Sequence, residues 1–487
     1  MEMPHIYLKE IHKDNVHFQD VLEFIKLLQD RNSVVYSPDG FDNDKDVVIV
    51  RAPARLDLMG GIADYCGSNV FEATLSNSLV MASQLRDDKQ LNVLSIGAEK
   101  DGLKPSVSLS ISDFYDGGTI KEYKEIKRLF RRDTSSSWAG YCLGALYVLL
   151  KEGKADAFER GMNIVIKSNI PLGAGISSSA ALEIAAMASA SVQYKLNLDP
   201  PDLARLAQIA ENKVVGAPCG IMDQITSAIG EEGRIISILC QPGKILEWVE
   251  LPENVQIIGI NSRVKRSTGG SAYIDARTAA FMGLTIISDN LYPDRDSLDG
   301  YLCNMSPREL REKYWNSLPG SISGTEFLNR YGDTIDPVTT VDPDKIYMVR
   351  SRSEHPIYEN QRVKNFIKCL KAAGESRGVG ASAIPEELIK AGKLMYASHW
   401  SYRQKVGLGS RNVDIIVNKI RSIGTAGGFL GGAGGTAAVL CYGDYSDSLC
   451  QVLDHYRSET GIDAQVFTDS SPGAFKFGYL RIVISNR

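Results

Sequence analysis

The stretch Pro171-Leu-Gly-Ala-Gly-Ile-Ser-Ser-Ser-Ala-Ala-Leu-Glu183 constrains this chain more than any other segment. Two glycines and small neighbours leave the backbone bare of side-chain cover, three serines follow, and the good helix formers of Ala180 to Ala188 come next. Residues 162–168 read as a strand entering this turn, so the segment predicts strand, glycine turn and helix N-terminus. Such a turn aims backbone N–H groups and the positive end of the helix dipole at one point, where a phosphate can sit. It is not a Walker A loop, because no Gly-Lys-Ser/Thr follows the glycines. Taken alone, the segment fits equally a tight connection whose serine caps the helix.

At 487 residues the chain is too long for one core, so two domains or two joined lobes are expected. Residues 17–31 place Val21, Phe24, Ile25 and Leu28 at helical spacing. Val47–Val50 reads as a buried strand. Helices are expected at 138–151, 178–195, 201–215, 356–372, 385–398 and 411–422, and strands at 234–240, 256–261 and 436–442. Residues 290–345, rich in Asp, Pro, Gly and Ser, read as an insertion with little regular structure.

Composition narrows the partners. A net charge of −5 disfavours nucleic acid and anionic membranes. The eight cysteines are scattered, with no CxxC and no metal-ligand spacing, which fits reduced thiols and a cytoplasmic location. The polar N-terminus lacks the apolar core of a signal peptide, and no apolar run is long enough to span a bilayer.

Three segments in order, Arg51–Ser68, Pro171–Glu183 and Gly427–Thr436, resemble the GHMP small-molecule kinases, the superfamily of galactokinase, homoserine kinase and mevalonate kinase. Gly216–Ser227 resembles the catalytic segment of sugar-1-kinases in the galactokinase branch. From about Val47 to the C-terminus the likeness narrows to the kinase part of plant-type L-arabinokinases. It is carried by Arg55–Ser68, Ser267–Tyr273, His355-Pro-Ile-Tyr-Glu-Asn360, Ser398-His-Trp-Ser-Tyr402 and Ser470–Gly478. The resemblance implies an α+β, two-lobed GHMP kinase fold with the active site in the cleft between N- and C-terminal domains. The expected division is an N-terminal helical extension at 1–45, an ATP-binding domain at 46–250, and a C-terminal domain at 251–487 with an insertion near 290–350.

The resemblance also assigns roles. Gly173, Gly175, Ser177, Ser178 and Ser179 would hold the phosphates of ATP, and Ser179 with Glu211 would hold Mg²⁺; a hydroxyl and a carboxylate suit a hard cation. Asp223 would accept or orient the proton of the sugar's anomeric hydroxyl, beside Arg55. Asp64, Gly61, Ile62, Gly220 and Tyr273 would face the sugar, and Trp138 would stack near adenine. Each has a plainer reading: Glu211 as a solvated helix residue, Asp223 as a helix cap, Arg55 as a surface ion pair, Trp138 as core. Lys265-Arg266 reads as a solvated basic pair or a phosphate contact.

Departures from the galactokinase pattern bear on the substrate. Galactokinases usually read Gly-Glu-His-Thr-Asp where this chain reads Gly60-Gly-Ile-Ala-Asp64. The glutamate and histidine face the hydroxymethyl end of galactose, which L-arabinopyranose lacks. A buried Glu with no hydroxyl to meet costs about 1–3 kcal/mol, and Gly61 and Ile62 remove that cost. The implied activity is therefore phosphorylation of L-arabinose to L-arabinose 1-phosphate. The alternatives are galactokinase or another sugar-1-kinase, and a catalytically weak ATP- and sugar-binding sensor. Phe429 and Leu430 stand where relatives tend to have Thr-Gly, with Gly431–Gly435 expected to buttress the site.

Overall fold

The computed structural model describes residues 5–12, 17–30, 40–264, 270–291, 298–375 and 384–485. Its larger sheet contains β1 (His5–His12), β2 (Asp46–Met59), β3 (Asn69–Leu85), β4 (Gln90–Ser95), β5 (Ser106–Ser110), β6 (Met162–Ser168), β7 (Arg234–Leu239) and β8 (Lys244–Glu250). A smaller sheet follows with β9 (Val255–Asn261), β10 (Phe429–Ala433), β11 (Ala437–Tyr442) and β12 (Gln465–Phe467); the last strand, β13 (Tyr479–Ser485), returns to the larger sheet. The larger sheet runs β1-β13-β2-β3-β6-β4-β5, with β7 on the other end of β3 and β8 beyond it. Only the β4–β6 pair is parallel among these.

Strand β2 is buried along nearly its whole length because both faces are covered. Successive side chains alternate between two cores. Val48, Val50 and Ala52 face a cluster built with helices α3 (Ala139–Lys151), α4 (Ser178–Gln193), α5 (Pro200–Ile209) and α6 (Met222–Ile229). Val47 and Ile49 face the amphipathic helix α1 (Gln19–Gln29), whose Val21, Phe24 and Leu28 are fully buried. Helix α2 (Tyr123–Phe130) packs Ile126 and Phe130 into the first cluster.

The smaller sheet is ordered β10-β11-β9-β12. Helices α10 (Arg411–Ile423) and α11 (Ser446–Thr460) cover its outer face, around Ile258, Ile260, Val439 and Cys441. Helices α8 (Val349–Glu375) and α9 (Glu386–Ser401) carry Phe366 and Met395 into the first cluster, so one apolar core is continuous between the lobes. Loops from the two sheets meet at the site described below, where Thr436 bonds the Ala174 carbonyl. The fold is thus α+β and two-lobed.

The structure departs from expectation in several places. The insertion has a core of its own: α7 (Ser271–Asn290), residues 298–347 and the start of α8 enclose Phe281, Leu302, Leu310, Phe327 and Ile357. Short helices such as Gly324–Tyr331, with Ser323 capping Glu326, give it more regular structure than its turn-rich composition suggests. Helix α8 begins at Val349, a turn and more before Pro356, which lies inside it. The helix expected at 201–215 becomes π-helical over Ala210–Val215. The N-terminal segment contains a strand, β1, as well as a helix, and the chain's last strand lies between β1 and β2.

Candidate active site

Strand β2 delivers Arg55 to the mouth of the glycine turn. The guanidinium is 7 % exposed and donates to Asp223 Oδ1 from Nε at 2.8 Å and from Nη2 at 2.7 Å. Nη1 donates to the Gly175 carbonyl at 2.8 Å. One buried cation therefore ties the glycine turn to the segment carrying Asp223, and it is no surface ion pair. Asp223 lies in the first turn of α6, past the cap position at Ile221. Its second oxygen accepts the Ser177 hydroxyl at 2.5 Å. Ser177, at φ 61°, starts α4 but makes no side-chain cap bond. Its hydroxyl is committed to the carboxylate.

Gly173 and Gly175 take φ of 72° and 77°, torsions that glycine adopts without steric penalty. Gly175 is exposed and Ser178 and Ser179 are half-buried. The first N–H groups of α4 have no partner within the helix, as at any helix start. Thr436 locks the turn from the other lobe, its hydroxyl donating to the Ala174 carbonyl. Phe429 and Leu430 are buried in β10, so that glycine segment packs as strand as well as loop.

Glu211 lies in the π-helical turn and is 2 % exposed, which removes the solvated-helix reading. Ser179 stands beside it and acts against the rise in its pKa. Gln224 Nε2 donates to Glu211 Oε2 at 2.7 Å and to Glu183 Oε2 at 3.1 Å. Burial, aided by the charge of Asp223, pushes Glu211 up to about 7, and burial pushes Glu183 well above the carboxylate range. Glu183 Oε1 has no hydrogen-bond partner among the described residues. Two buried acids sharing one amide, with a serine hydroxyl beside them, lack positive charge and offer hard oxygens. That donor set fits Mg²⁺, which takes few protein ligands and completes its shell with phosphate and water.

Asp64 is 5 % exposed, in the 3₁₀ turn Asp64–Cys66. Its carboxylate rests on Gly220: a Cβ built there would stand 1.7 Å from Asp64 Oδ2. Burial and then the charge of Asp223 push Asp64 up to about 7. Tyr273, 8 % exposed near the start of α7, meets Tyr65 edge-on at 6.1 Å. Asp64, Gly220, Asp223, Arg55, Ser177, Ser179 and Glu211 are thus gathered into one site. Trp138 is half-buried; its indole N–H donates to the Lys104 carbonyl at 2.9 Å, and its ring packs on the first core. Lys265, Arg266 and residues 267–269 lie outside the described residues.

Comparison with known proteins follows the same lines. The family model "GHMP kinases N terminal domain" matches residues 140–231, and "Galactokinase galactose-binding signature" matches 39–84. The chain carries the N-terminal domain of the GHMP kinases and the galactose-binding signature of the galactokinases. L-arabinokinase of Arabidopsis thaliana is 34 % identical over 91 % of the chain, and the chain spans 47 % of that protein. Galactokinase of Actinobacillus succinogenes is 27 % identical over 85 % of the chain and 90 % of its own length. The fold matches Lactococcus lactis galactokinase complexed with galactose at a TM-score of 0.68 and 21 % identity, covering 93 % of this chain and 97 % of that one.

The site has neighbours that the sequence did not single out. Asp57 and Glu72 face each other across β2 and β3. Arg55 Nε stands 3.4 Å from Glu72 Oε2. Among the described residues neither Glu72 oxygen nor Asp57 Oδ1 has a hydrogen-bond partner. Burial pushes Asp57 up to about 6 and Glu72 well above its ordinary value. Asp57 also overhangs Gly61: a Cβ there would lie 2.1 Å from Asp57 Oδ2. The space into which a Gly61 side chain would grow is therefore occupied by a carboxyl group. Arg277 is a second omission. It is 5 % exposed, donates at 2.8 Å from both Nε and Nη2 to Asp336 of the insertion, and donates from Nη1 to the Cys219 carbonyl at 3.1 Å. An arginine within the apolar run of α7 was the signal for it, as were acids inside the apolar strands β2 and β3.

Proposed function

We propose that this protein is an ATP-dependent sugar-1-kinase that phosphorylates the anomeric hydroxyl of L-arabinose, in the cytoplasm. The observation that carries the reading is the Arg55–Asp223–Ser177 constellation at the mouth of the glycine turn, with Asp64 seated on Gly220 beside it. Asp223 has two oxygens within a fixed frame of donors and a side chain 17 % exposed, so it can accept a hydroxyl proton from the cleft. Arg55 holds that carboxylate in place through two hydrogen bonds and offsets charge arriving at the transferring phosphoryl group. Asp64 accepts from vicinal sugar hydroxyls, with Tyr273 beside it. The N–H groups of residues 178 and 179 and the helix dipole hold the phosphates of ATP. Ser179 and Glu211 would hold Mg²⁺, which when bound neutralises phosphate charge and fixes phosphate geometry.

L-Arabinose rests on the relative of 34 % identity and on the absence of side-chain reach at Gly61. D-Galactose is the second reading, supported by the galactokinase relatives and by the Asp57 carboxyl, which supplies an acceptor beside Gly61. The cytoplasm is supported by eight free cysteines. No helix among the described residues is long and apolar enough to cross a membrane.

The test is ADP release with Mg-ATP across L-arabinose, D-galactose, D-glucuronate, D-mannose and D-fucose. Turnover led by L-arabinose supports the reading, and turnover led by galactose replaces the substrate while keeping the class. Sugar and ATP binding without turnover makes the protein a sensor.

A further inference from the structure

Two motifs remain without a role in this reading, His355–Asn360 and Ser398–Tyr402. The structure brings both against the sugar loop. His355, on α8, is 1 % exposed; its Nε2 lies 3.2 Å from the Gly61 carbonyl and its Nδ1 lies 2.9 Å from Ser401 Oγ at the end of α9. A carbonyl only accepts, so Nε2 carries the hydrogen and donates to Gly61; Nδ1 then accepts from the Ser401 hydroxyl. Burial pushes the ring down to about 4, so it stays neutral and this tautomer persists through the neutral range. The same two helices are tied to each other by Ser398 Oγ, which donates to Glu359 at 2.5 Å, and α8 holds the start of β3 through Asn360, which accepts from the Asn69 backbone N–H at 3.0 Å.

The loop needs such a brace. Gly60 has φ 113° and Ile62 has φ 63°, a left-handed torsion that a β-branched side chain rarely adopts. Strained backbone of this kind persists where its surroundings over-determine it. Gly61 sits between the two torsions, and its carbonyl is the atom His355 grips. The Asp57 carboxyl lies over the other side of Gly61, while Ser398 and Tyr402 line the same small gap as Asp57 and Gly61.

We propose that His355, seated by Ser401, is a positioning residue for sugar recognition: it fixes the Gly60–Ile62 turn, and with it the place at which the non-anomeric end of the sugar is read. The inference rests on the sugar-kinase reading above.

The experiment compares His355→Ala, His355→Gln, His355→Asn and Ser401→Ala by KM for sugar, KM for ATP, kcat and thermal melting. Gln carries an amide N about as far along the side chain as Nε2, whereas Asn reaches only the Nδ1 position. His355→Ala and His355→Asn are expected to raise the sugar KM roughly three- to tenfold, the value of one neutral hydrogen bond, with the ATP KM within twofold. His355→Gln should restore most of the loss, and Ser401→Ala should show a smaller loss of the same kind. If His355→Ala fails to fold, the contrast between Gln and Asn decides. Equal changes in both KM values, a loss confined to kcat, or no difference between Gln and Asn overturns the proposal. A wild-type protein that turns over no sugar instead overturns the sugar-kinase reading, and the inference falls with it.

Discussion

Gly220→Ala is the sharpest perturbation the site offers. Gly220 takes no left-handed torsion, so its backbone accepts an L-residue and the test is purely steric. The new Cβ would lie 1.7 Å from Asp64 Oδ2, 2.1 Å from its Cγ and 2.9 Å from its Cβ. Carbon and oxygen normally keep more than 3 Å apart, so the whole carboxylate must leave its seat. Overpacking of this sort costs about 1–3 kcal/mol of stability. The displaced acid also loses its hydrogen bonds to the sugar, and bonds to a charged acceptor are worth about 1.5–3 kcal/mol. The expected rise in sugar KM is therefore roughly ten- to a hundredfold, with the KM for ATP within about twofold.

Two measurements check this together. Steady-state ADP release gives both KM values, and urea denaturation gives stability for Gly220→Ala, Asp64→Ala and the double variant. The clash needs both side chains, so the stability cost of Gly220→Ala should largely vanish in the Asp64→Ala background, a coupling of at least about 1 kcal/mol. An unchanged sugar KM in Gly220→Ala would refute the placement of sugar at Asp64. A stability cost that persists undiminished without the Asp64 carboxylate would refute the steric argument.

Asp223→Asn keeps the shape and an acceptor for Arg55, so it should fold, bind ATP within twofold of wild type and lose about 10²–10⁴ in kcat; turnover within tenfold of wild type would remove Asp223 from the proton-transfer role. Glu211→Gln should raise the Mg²⁺ concentration needed for half-maximal rate several-fold, and an unshifted Mg²⁺ titration would discard Glu211 as a ligand. Gly61→Ala drives the Asp57 carboxyl off its seat, so it should raise the sugar KM, and Asp57→Ala in the same chain should recover part of the stability lost. Asp57 and Asp64 have folded values of about 6 and about 7 against an ordinary 3.8. The unfolded chain releases both protons first as pH rises, and the raised values of Glu211, Glu72 and Glu183 act in the same direction, so stability should fall from about pH 4 through pH 7; a melting temperature that rises over that window contradicts the assignment.

The architecture and the site were not equally legible. Glycines and serines in fixed order marked the phosphate turn, and the periodicity of α1, α3 and α10 was plain, because each rule there is local: torsion, capping or an apolar stripe. The same locality hid β1, β8 and β13, whose pairing partners are not marked by any local pattern; Ile482 opposes Val47 across more than four hundred residues. It also hid the insertion's core, since the small, short apolar pieces between residues 298 and 347 acquire a buried face only when α7 and α8 close over them.

In the site, the residues that sequence named are those that would touch ligands, and those it missed act on the named ones. Arg277 holds the Cys219 carbonyl and stacks over Tyr65 at 5.2 Å, next to Gly220 and Asp64 in the chain, while Asp336 of the insertion satisfies its charge. Asp57 and Glu72 lie under Arg55, and His355 grips Gly61. These contacts depend on buried charge and on close approach, neither of which has a sequence period. They carry a consequence for substrate choice. With Gly61 standing where galactokinases carry Glu, the natural expectation is an enlarged, apolar end. Yet the space is taken by a carboxyl from the neighbouring strand and the loop is pinned by a histidine from the other lobe. On the proposed reading, sugar selectivity should therefore respond to Asp57 and His355 as strongly as to residues 61 and 62. Exchanging Gly61 and Ile62 alone for Glu and His should fail to convert the protein into a galactose-selective enzyme unless Asp57 is made smaller at the same time, and selectivity ratios of kcat/KM measured on the two variants would separate these cases.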